Sequence, residues 1–466
     1  MPIISDIRYG DIATEDRLDA EYYCPEFVSN LRLIKSIKRI PVFRLGDEEV
    51  SRKFKKSVIY GKRTYYYGRT GVPFVRVSDV KNLSIEENNL VFLPKEVPGV
   101  SGIAVANPGE ILITESGTIG NVGIVPDSYP EWALSGDVIC VSLNPNVNPR
   151  YVAAFLETKY GKNQLLRGKT QQVQPHLNVR KIKKTLVPLP TSDYQSYIDA
   201  IVQEYFKRRG EASKFYKQAE KLLLRQFDID KLQFPGKNTY DVRFSEIERY
   251  ERFDAEHYKA EYRQILEILR DSPFKLKKLS DIINVSNETV DPTLTPGEKF
   301  TYVQLANVNP STGEIEETEE IAGYKAPSRA RMLLRKGDVL VSYLSGSLDN
   351  IALVPEELDN SIGSTGFFVV DSDNFYSEYL FILLRSPLLK KQLEQKTAGT
   401  IMTAVSRKDF ENLLVPEIPR KQQRPIVNLV RRSISLRSHS RLLIEKAKRD
   451  IESFVESEAE INHDKR

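Results

Sequence analysis

The chain has 466 residues, 40% of them hydrophobic and 28% charged, with 68 Lys+Arg against 64 Asp+Glu and a net charge of +4. That composition is the one expected of an ordinary soluble globular chain, and the length allows two to four domains. No run of 18 apolar residues and no basic-then-apolar leader layout occur, so the expectation is a cytoplasmic protein with no membrane span. The two cysteines, Cys24 and Cys140, form no CxxC and predict neither a disulfide framework nor a zinc site.

In chain order, Pro73–Val77, Glu110–Thr114 and Val138–Leu143 are β-rich runs bounded by Gly, Pro or Asn. Arg150–Leu166 reads as helical. Ser192–Asp228 places Ile198, Val202, Tyr205, Ala212, Tyr216, Ala219, Leu223 and Phe227 on one stripe, which predicts an amphipathic helix about 50 Å long. Ser192 and Gln195 have capping-box spacing at its start. Lys231–Tyr240, with Pro235 and Gly236, is a turn-rich junction. Strand-like runs return at Thr301–Leu305, Asp338–Ser342 and Gly366–Val370, and Ser377–Gln395 again reads as helical. Arg424–Val455 repeats the long amphipathic pattern with Ile426, Val430, Leu436, Ile444, Ala447, Ile451 and Phe454. A long helix with one apolar stripe needs a partner. The two are expected to pair as a coiled-coil strut between two globular units.

Those parallels are a duplication. Arg17-Leu-Asp-Ala-Glu-Tyr-Tyr23 returns as Arg252-Phe-Asp-Ala-Glu-His-Tyr258, and Phe74-Val-Arg-Val-Ser-Asp-Val80 as Tyr302-Val-Gln-Leu-Ala-Asn-Val308. Pro108-Gly-Glu-Ile-Leu-Ile113 returns as Lys336-Gly-Asp-Val-Leu-Val341, and Tyr151-Val-Ala-Ala-Phe-Leu156 as Tyr379-Leu-Phe-Ile-Leu-Leu384. Leu186-Val-Pro188 returns as Leu414-Val-Pro416, each time just before a long helix. The offset stays between about 225 and 235 residues, and order is kept throughout.

Catalytic constellations are not legible. The four histidines, His176, His257, His439 and His463, share no ligand spacing. Gly168-Lys-Thr170 lacks the upstream glycine of a phosphate loop, since Asn163 stands there. Gly117-Thr-Ile-Gly-Asn-Val-Gly123 runs into Ile-Val-Pro rather than a helix, so it reads as a turn between strands. No Asn-Pro-Pro-Tyr type sequence of an amino-methyltransferase is present.

Charge is segregated. Ser51–Ser78 carries eight Lys or Arg and no acid, with Tyr60, Tyr65, Tyr66 and Tyr67 interleaved. Thr158–Ser192 is also free of Asp and Glu, and it adds Gln171, Gln172, Gln174 and Asn178. Cations neutralise phosphates, and Arg, Gln and Asn can read base edges, so nucleic acid is the expected partner. The second half is less basic and includes the acidic stretch Glu314–Glu320, expected to face away from a polyanion.

Two mixed units, each followed by a long helix, resemble the specificity subunit of type I restriction–modification enzymes over nearly the full length. The segments that carry the likeness are Arg17–Tyr23, Phe74–Val80, Gly109-Glu-Ile-Leu-Ile-Thr-Glu-Ser-Gly-Thr-Ile-Gly120, Thr170-Gln-Gln172 and Leu186-Val-Pro-Leu-Pro190. The second half departs at Ser345-Gly-Ser-Leu-Asp349 and Gly399-Thr-Ile-Met402. The resemblance implies an α+β fold: two similar, mostly β target-recognition domains at 1–190 and 245–419. Helical spacers at 191–244 and 420–466 would pair as an antiparallel coiled coil. It implies a bipartite, asymmetric DNA target with the helices setting the separation. It also implies a non-catalytic chain that docks two methyltransferase subunits and, where present, two restriction/translocase subunits. S-adenosylmethionine, ATP and Mg would sit on those partners, with no cofactor or metal in this chain. Candidate DNA contacts in the first domain are Lys55, Lys56, Lys62, Arg63, Tyr66, Arg69, Arg76, Ser116, Thr118, Lys169, Gln171, Gln172, His176 and Arg180. In the second they are Arg329, Ser345, Ser347, Asn350, Lys396, Thr397, Thr400, Thr403 and Arg407. The competing classes are a self-contained DNA-modifying enzyme, to be exposed by activity of the chain alone, and a helical protein-binding scaffold.

Overall fold

The computed structural model describes residues 7, 20–58, 70–87, 90–96, 102–169, 176–227, 241–250, 252–397 and 404–460. Its elements run α1 (Pro25–Ser36), β1 (Val42–Arg44), β2 (Ser51–Lys56), β3 (Val72–Val75), β4 (Val80–Lys81), β5 (Ser84–Ile85), β6 (Val91–Leu93), β7 (Val105–Ala106), β8 (Ile111–Thr114), β9 (Val122–Ile124), β10 (Trp132–Leu134) and β11 (Val138–Leu143). Then follow α2 (Pro149–Glu157), α3 (Lys159–Arg167), α4 (Val179–Lys183), β12 (Leu186–Pro188) and the long α5 (Ser192–Arg225). The second series is α6 (Phe244–Tyr250), α7 (Ala260–Asp271), β13 (Leu276–Lys278), β14 (Asn284–Val285), β15 (Lys299–Val303), β16 (Glu319–Ala322), β17 (Ala330–Leu333), β18 (Val339–Ser342), β19 (Ile351–Leu353), β20 (Ile362–Ser364) and β21 (Phe367–Asp371). It ends with α8 (Ser377–Arg385), α9 (Pro387–Lys396), α10 (Arg407–Glu411), β22 (Leu414–Pro416) and α11 (Arg420–Glu460).

The chain divides into two compact units, residues 1–209 with 438–466, and residues 210–437. Both divisions fall inside long helices, because each helix gives part of its apolar stripe to each core. Ile198, Val202 and Tyr205 share one core with Ile444, Ala447, Ile451 and Val455. Tyr216, Ala219 and Leu223 share the other with Ile426, Val427 and Val430.

Unit 1 has an antiparallel sheet ordered β2-β11-β8-β9, and a second sheet ordered β6-β3-β10-β7 whose central pair, β3–β10, is parallel. Unit 2 repeats both orders as β14-β21-β18-β19 and β16-β15-β20-β17, with β15–β20 parallel. The two-stranded pairing β1–β12 recurs as β13–β22. Strand β8 is buried on both faces. Ile111 and Ile113 enter the core under the helices, while Leu112 joins Val75, Trp132 and Cys140 between the sheets. Val339 and Val341 against Leu340 reproduce that division in β18. The duplicated sequence thus folds as a duplicated topology.

Glutamines that bond the backbone also repeat. Gln164 Nε2 donates to the Tyr160 and Leu186 carbonyls, and its Oε1 accepts from Leu186 N. Gln392 makes the same three bonds to Leu388 and Leu414. Gln195 accepts from Asn148 N and donates to the Pro190 carbonyl, and Gln423 does so with Tyr376 N and the Ile418 carbonyl.

These contacts correct three expectations. Gln195 does not close a capping box, because its amide is committed to Asn148 and Pro190. The helix expected over 150–166 is two helices. Thr158 between them is extended and bonds its hydroxyl to the Phe155 carbonyl at 2.6 Å. Ser386 breaks the second copy the same way, through the Leu383 carbonyl. Finally, α11 begins at Arg420 rather than Arg424 and carries Pro425 inside it, with Gln423 anchoring its first turn.

Along each unit the long helices lie side by side and antiparallel. In unit 1 Tyr194 stacks on Phe454 at 4.3 Å and donates to the Asp450 carbonyl. In unit 2 the buried Ser433 hydroxyl donates to the Ala212 carbonyl, and Gln226 donates to the Gln422 carbonyl. Among the described residues no helix is long and apolar enough to cross a membrane.

Asp338, at the start of β18, is buried, and its carboxylate accepts the Arg335 N–H at 2.7 Å. Burial, helped by Asp371 and Glu288, pushes it up to about 6 against that hydrogen bond. A carboxyl raised in the folded state favours folding while protonated, and its ionisation opposes folding as pH climbs from about 4 through 6. Asp338→Asn should therefore stabilise unit 2 by about 1–2 kcal/mol at pH 8 and by nearly nothing at pH 4. Thermal unfolding at both pH values checks this; equal shifts at the two would refute it.

Candidate nucleic-acid interface

In unit 1 one end of the β2-β11-β8-β9 sheet gathers several of the predicted residues. Strand β2 ends at Lys56, whose ammonium pairs with the buried Glu115 at the end of β8. Glu115 begins the β8–β9 turn. Gly117 and Gly120 take φ of +64° and +74° there, a region that favours glycine. Asn121 N donates to the Thr114 hydroxyl, and Gly120 N to the Thr114 carbonyl, so the turn is closed and displays Ser116 and Thr118. Leu177 N donates to the Glu115 carbonyl, which brings the exposed His176 beside that turn. Lys56, Ser116, Thr118 and His176 therefore share one end of unit 1. Arg180 is exposed in the first turn of α4.

Other candidates are committed to protein groups. Lys55 donates to Glu110 and to the Val105 carbonyl, in a cluster that Ser142, Cys140 and Asn107 N complete. Burial alone would raise Glu110, but the bonds from Lys55 and Ser142 outweigh it and hold the carboxyl below its ordinary value. Arg76 grips Asp79 through two nitrogens at 3.0 and 2.9 Å. Lys169 lies 3.6 Å from Glu21. Lys62, Arg63, Tyr66, Arg69, Gln171 and Gln172 lie outside the described residues.

Unit 2 builds the same end differently. Val405 N donates to the Tyr343 carbonyl, the counterpart of the Leu177–Glu115 bond. Its β18–β19 turn has a single positive-φ glycine, Gly346, and closes by a Ser342–Ser347 hydroxyl contact at 2.8 Å. Ser345 is exposed on it. Asn350 is turned inward to the Leu305 carbonyl. Ser345 and Thr397 line one cavity of about 390 Å³ with Asp349, Lys390 and Arg252. Thr397 accepts both Arg252 nitrogens on its carbonyl. Arg252 also clamps Asp254, whose carboxyl is held low first by that hydrogen bond. Lys396 is half-buried at the end of α9, and Arg329 is exposed. Arg407 bonds Glu411 and Asn287. Thr400 and Thr403 lie outside the described residues.

Arg52 and Lys53, exposed on β2, were not among the candidates. Nor were Lys183 and Lys184, exposed at the end of α4. Their signal was the unbroken basic run; counting charges does not say which face each one takes.

Two copies of one mixed unit, alike in both four-stranded sheets and in the β1–β12 and β13–β22 pairings and unlike in the turn at one end, define a duplicated module with two dissimilar display surfaces. Residues 42–217 match the family model described as the type I restriction modification DNA specificity domain. The EcoBI type I restriction enzyme specificity subunit of Escherichia coli is 24% identical over 171 residues, which are 35% of this chain and 36% of that protein. The match thus spans just over a third of that relative's length. Among solved structures, the HsdS subunit from Thermoanaerobacter tengcongensis is 36% identical, covering 39% of this chain and 47% of the other, with a TM-score of 0.32. The type I restriction-modification system S subunit from M. genitalium is 13% identical, covering 91% and 98%, with a TM-score of 0.40.

Proposed function

We propose that this chain is the DNA-recognition subunit of a type I restriction–modification complex, each unit reading one half of a split, asymmetric target. The observation that carries the reading is the contrast between four-stranded sheets of matching order and different ends: Ser116-Gly-Thr118 with His176 in one unit, Ser345-Gly-Ser347 in the other. A repeated framework holds two readers in the same way, and different surface residues give them different base preferences. The paired helices α5 and α11 are the device that spaces the half-sites and the surface on which two methyltransferase subunits, and restriction subunits where present, would dock. Methyl transfer, with its S-adenosylmethionine, and nucleotide-driven steps, with ATP and Mg, belong to those subunits in this reading. The chain itself supplies sequence choice.

The test is selection from a random duplex pool by the chain assembled with its methyltransferase partners. The expected product has two short specified blocks separated by unspecified positions. Enrichment of one continuous block, or of none, would refute the proposal.

A further inference from the structure

A cavity of about 160 Å³ in unit 1 is walled by Lys35 from α1, Arg44 from β1, Arg167 from α3, and Lys181 and Lys184 at α4, over the buried ring of Tyr22. None of the side chains lining it among the described residues is acidic. The volume is several times the ~30 Å³ share of one water. The cations are placed by packing. The Arg167 guanidinium stacks 3.9 Å above the Tyr22 ring, and its Nε donates to the Tyr22 carbonyl at 3.0 Å. The Lys181 ammonium lies 5.6 Å from the centre of the same ring. Gathering five like charges around one hollow opposes folding.

Unit 2 shows that the fold does not need this charge. By the repeat, Arg167, Lys181 and Lys184 correspond to Gln395, Asp409 and Asn412, while Lys35 and Arg44 correspond to Arg270 and Lys278. The structural bond survives the exchange, since Gln395 Nε2 donates to the His257 carbonyl at 3.1 Å where Arg167 donates to that of Tyr22. The geometry is kept in both copies, while three of the five charges stand in unit 1 alone, so the fold does not require those three.

We propose that the cavity is a phosphate-binding pocket particular to unit 1. A guanidinium fork matches phosphate as readily as carboxylate oxygens, and several mobile ammonium groups around it favour the more highly charged of the two, a phosphate. The phosphate comes either from a duplex backbone, which rests on the DNA reading above, or from a free phosphate species.

The experiment uses the full chain. Inorganic phosphate and pyrophosphate are titrated by calorimetry, and a duplex by fluorescence anisotropy over a salt series. Lys181→Gln/Lys184→Gln is compared with wild type and with the unit 2 control Arg270→Gln/Lys278→Gln. Lys184→Gln alone, at an exposed position, replaces the double variant if that variant unfolds. Saturable phosphate or pyrophosphate binding that the pocket variant weakens at least tenfold and the control leaves within twofold supports the proposal with a free phosphate as occupant. A duplex salt slope reduced by about 1–2 in the pocket variant, uniformly across sequences, supports it with the backbone as occupant. Should wild type bind no duplex while phosphate binding stays variant-sensitive, the pocket stands and the DNA reading falls. Should duplex binding be indifferent to the pocket variant, with no saturable phosphate binding, the pocket falls and the DNA reading stands. Displacement of phosphate by a glutamate-rich peptide at equal or lower concentration would overturn the phosphate assignment.

Discussion

Gln392→Ala is expected to destabilise unit 2 by about 3 kcal/mol, a fall of roughly a hundredfold in its folding equilibrium. The buried amide satisfies three backbone groups at once: the Leu388 carbonyl, and both the N–H and the carbonyl of Leu414. Those groups sit where α9 meets β22, and water has no route to replace the amide. Each buried group left unpaired costs about 1–3 kcal/mol, and the shortened side chain adds a void. Gln392→Glu separates the two effects. It keeps the volume and can accept from Leu414 N, but it cannot donate to either carbonyl and it carries charge into the core. It should therefore be at least as damaging as alanine. A mild Glu variant beside a severe Ala variant would mean that packing, not hydrogen bonding, is what Gln392 supplies. Hydrogen exchange resolved to the amides of each unit is the readout, since one midpoint for the whole chain would blend two units. Gln164→Ala should cost less in unit 1, where the three bonds recur but the half-buried side chain borders the cavity beside Arg167, so water can replace part of what is lost.

That pair also shows what the sequence holds and what it hides. Gln164 and Gln392 share the 228-residue offset of the surrounding repeats, so the duplication contained them. Nothing in their spacing marked them as bonded to the backbone, since a glutamine on a helix face ordinarily meets water. The long helices were legible because eight or more apolar positions at helical spacing sum to one face. The break at Thr158 was not, because Tyr151, Phe155 and Leu165 keep their helical spacing across it, while a single hydroxyl bond to Phe155 redirects the chain. Strand order lies further out of reach. The parallel pair β3–β10 joins segments far apart in sequence, with β4 to β9 between them, and alternation along a strand says which face is buried, not which neighbour it takes. At the candidate interface the limit is again direction. Lys55 and Lys56 are adjacent in a basic run, yet Lys55 is folded into a carboxylate cluster while Lys56 stands at the turn. Charge segregation singles out the basic run; the pleat and the partners Glu110 and Glu115 decide how each of its two lysines is placed.

The exposed cations that do remain set the size of the salt effect. In unit 1 Arg52, Lys53, Arg180, Lys183 and Lys184 are exposed, and in unit 2 Arg329 is. If six of the chain's cations each neutralise one phosphate, log K against log salt should have a slope of about −5. Affinity for random duplex would then drop by about three decades between roughly 50 and 200 mM salt. A protein-binding scaffold, whose interfaces are dominated by apolar area, would show a shallow dependence and no preference for duplex over an unrelated polyanion. Within that slope Arg180→Ala has a signature that depends on what the guanidinium touches. If it touches a phosphate, the variant should weaken all sequences alike and reduce the slope by about 1. If it touches a base edge, the variant should cost about 1–3 kcal/mol on the selected target, relax one position of it, and leave the slope unchanged. The assembled complex with one selected and one scrambled duplex over a salt series distinguishes these outcomes. A variant indistinguishable from wild type on both duplexes would place Arg180 off the interface, and a flat salt dependence of the wild type would remove DNA as the partner of these surfaces.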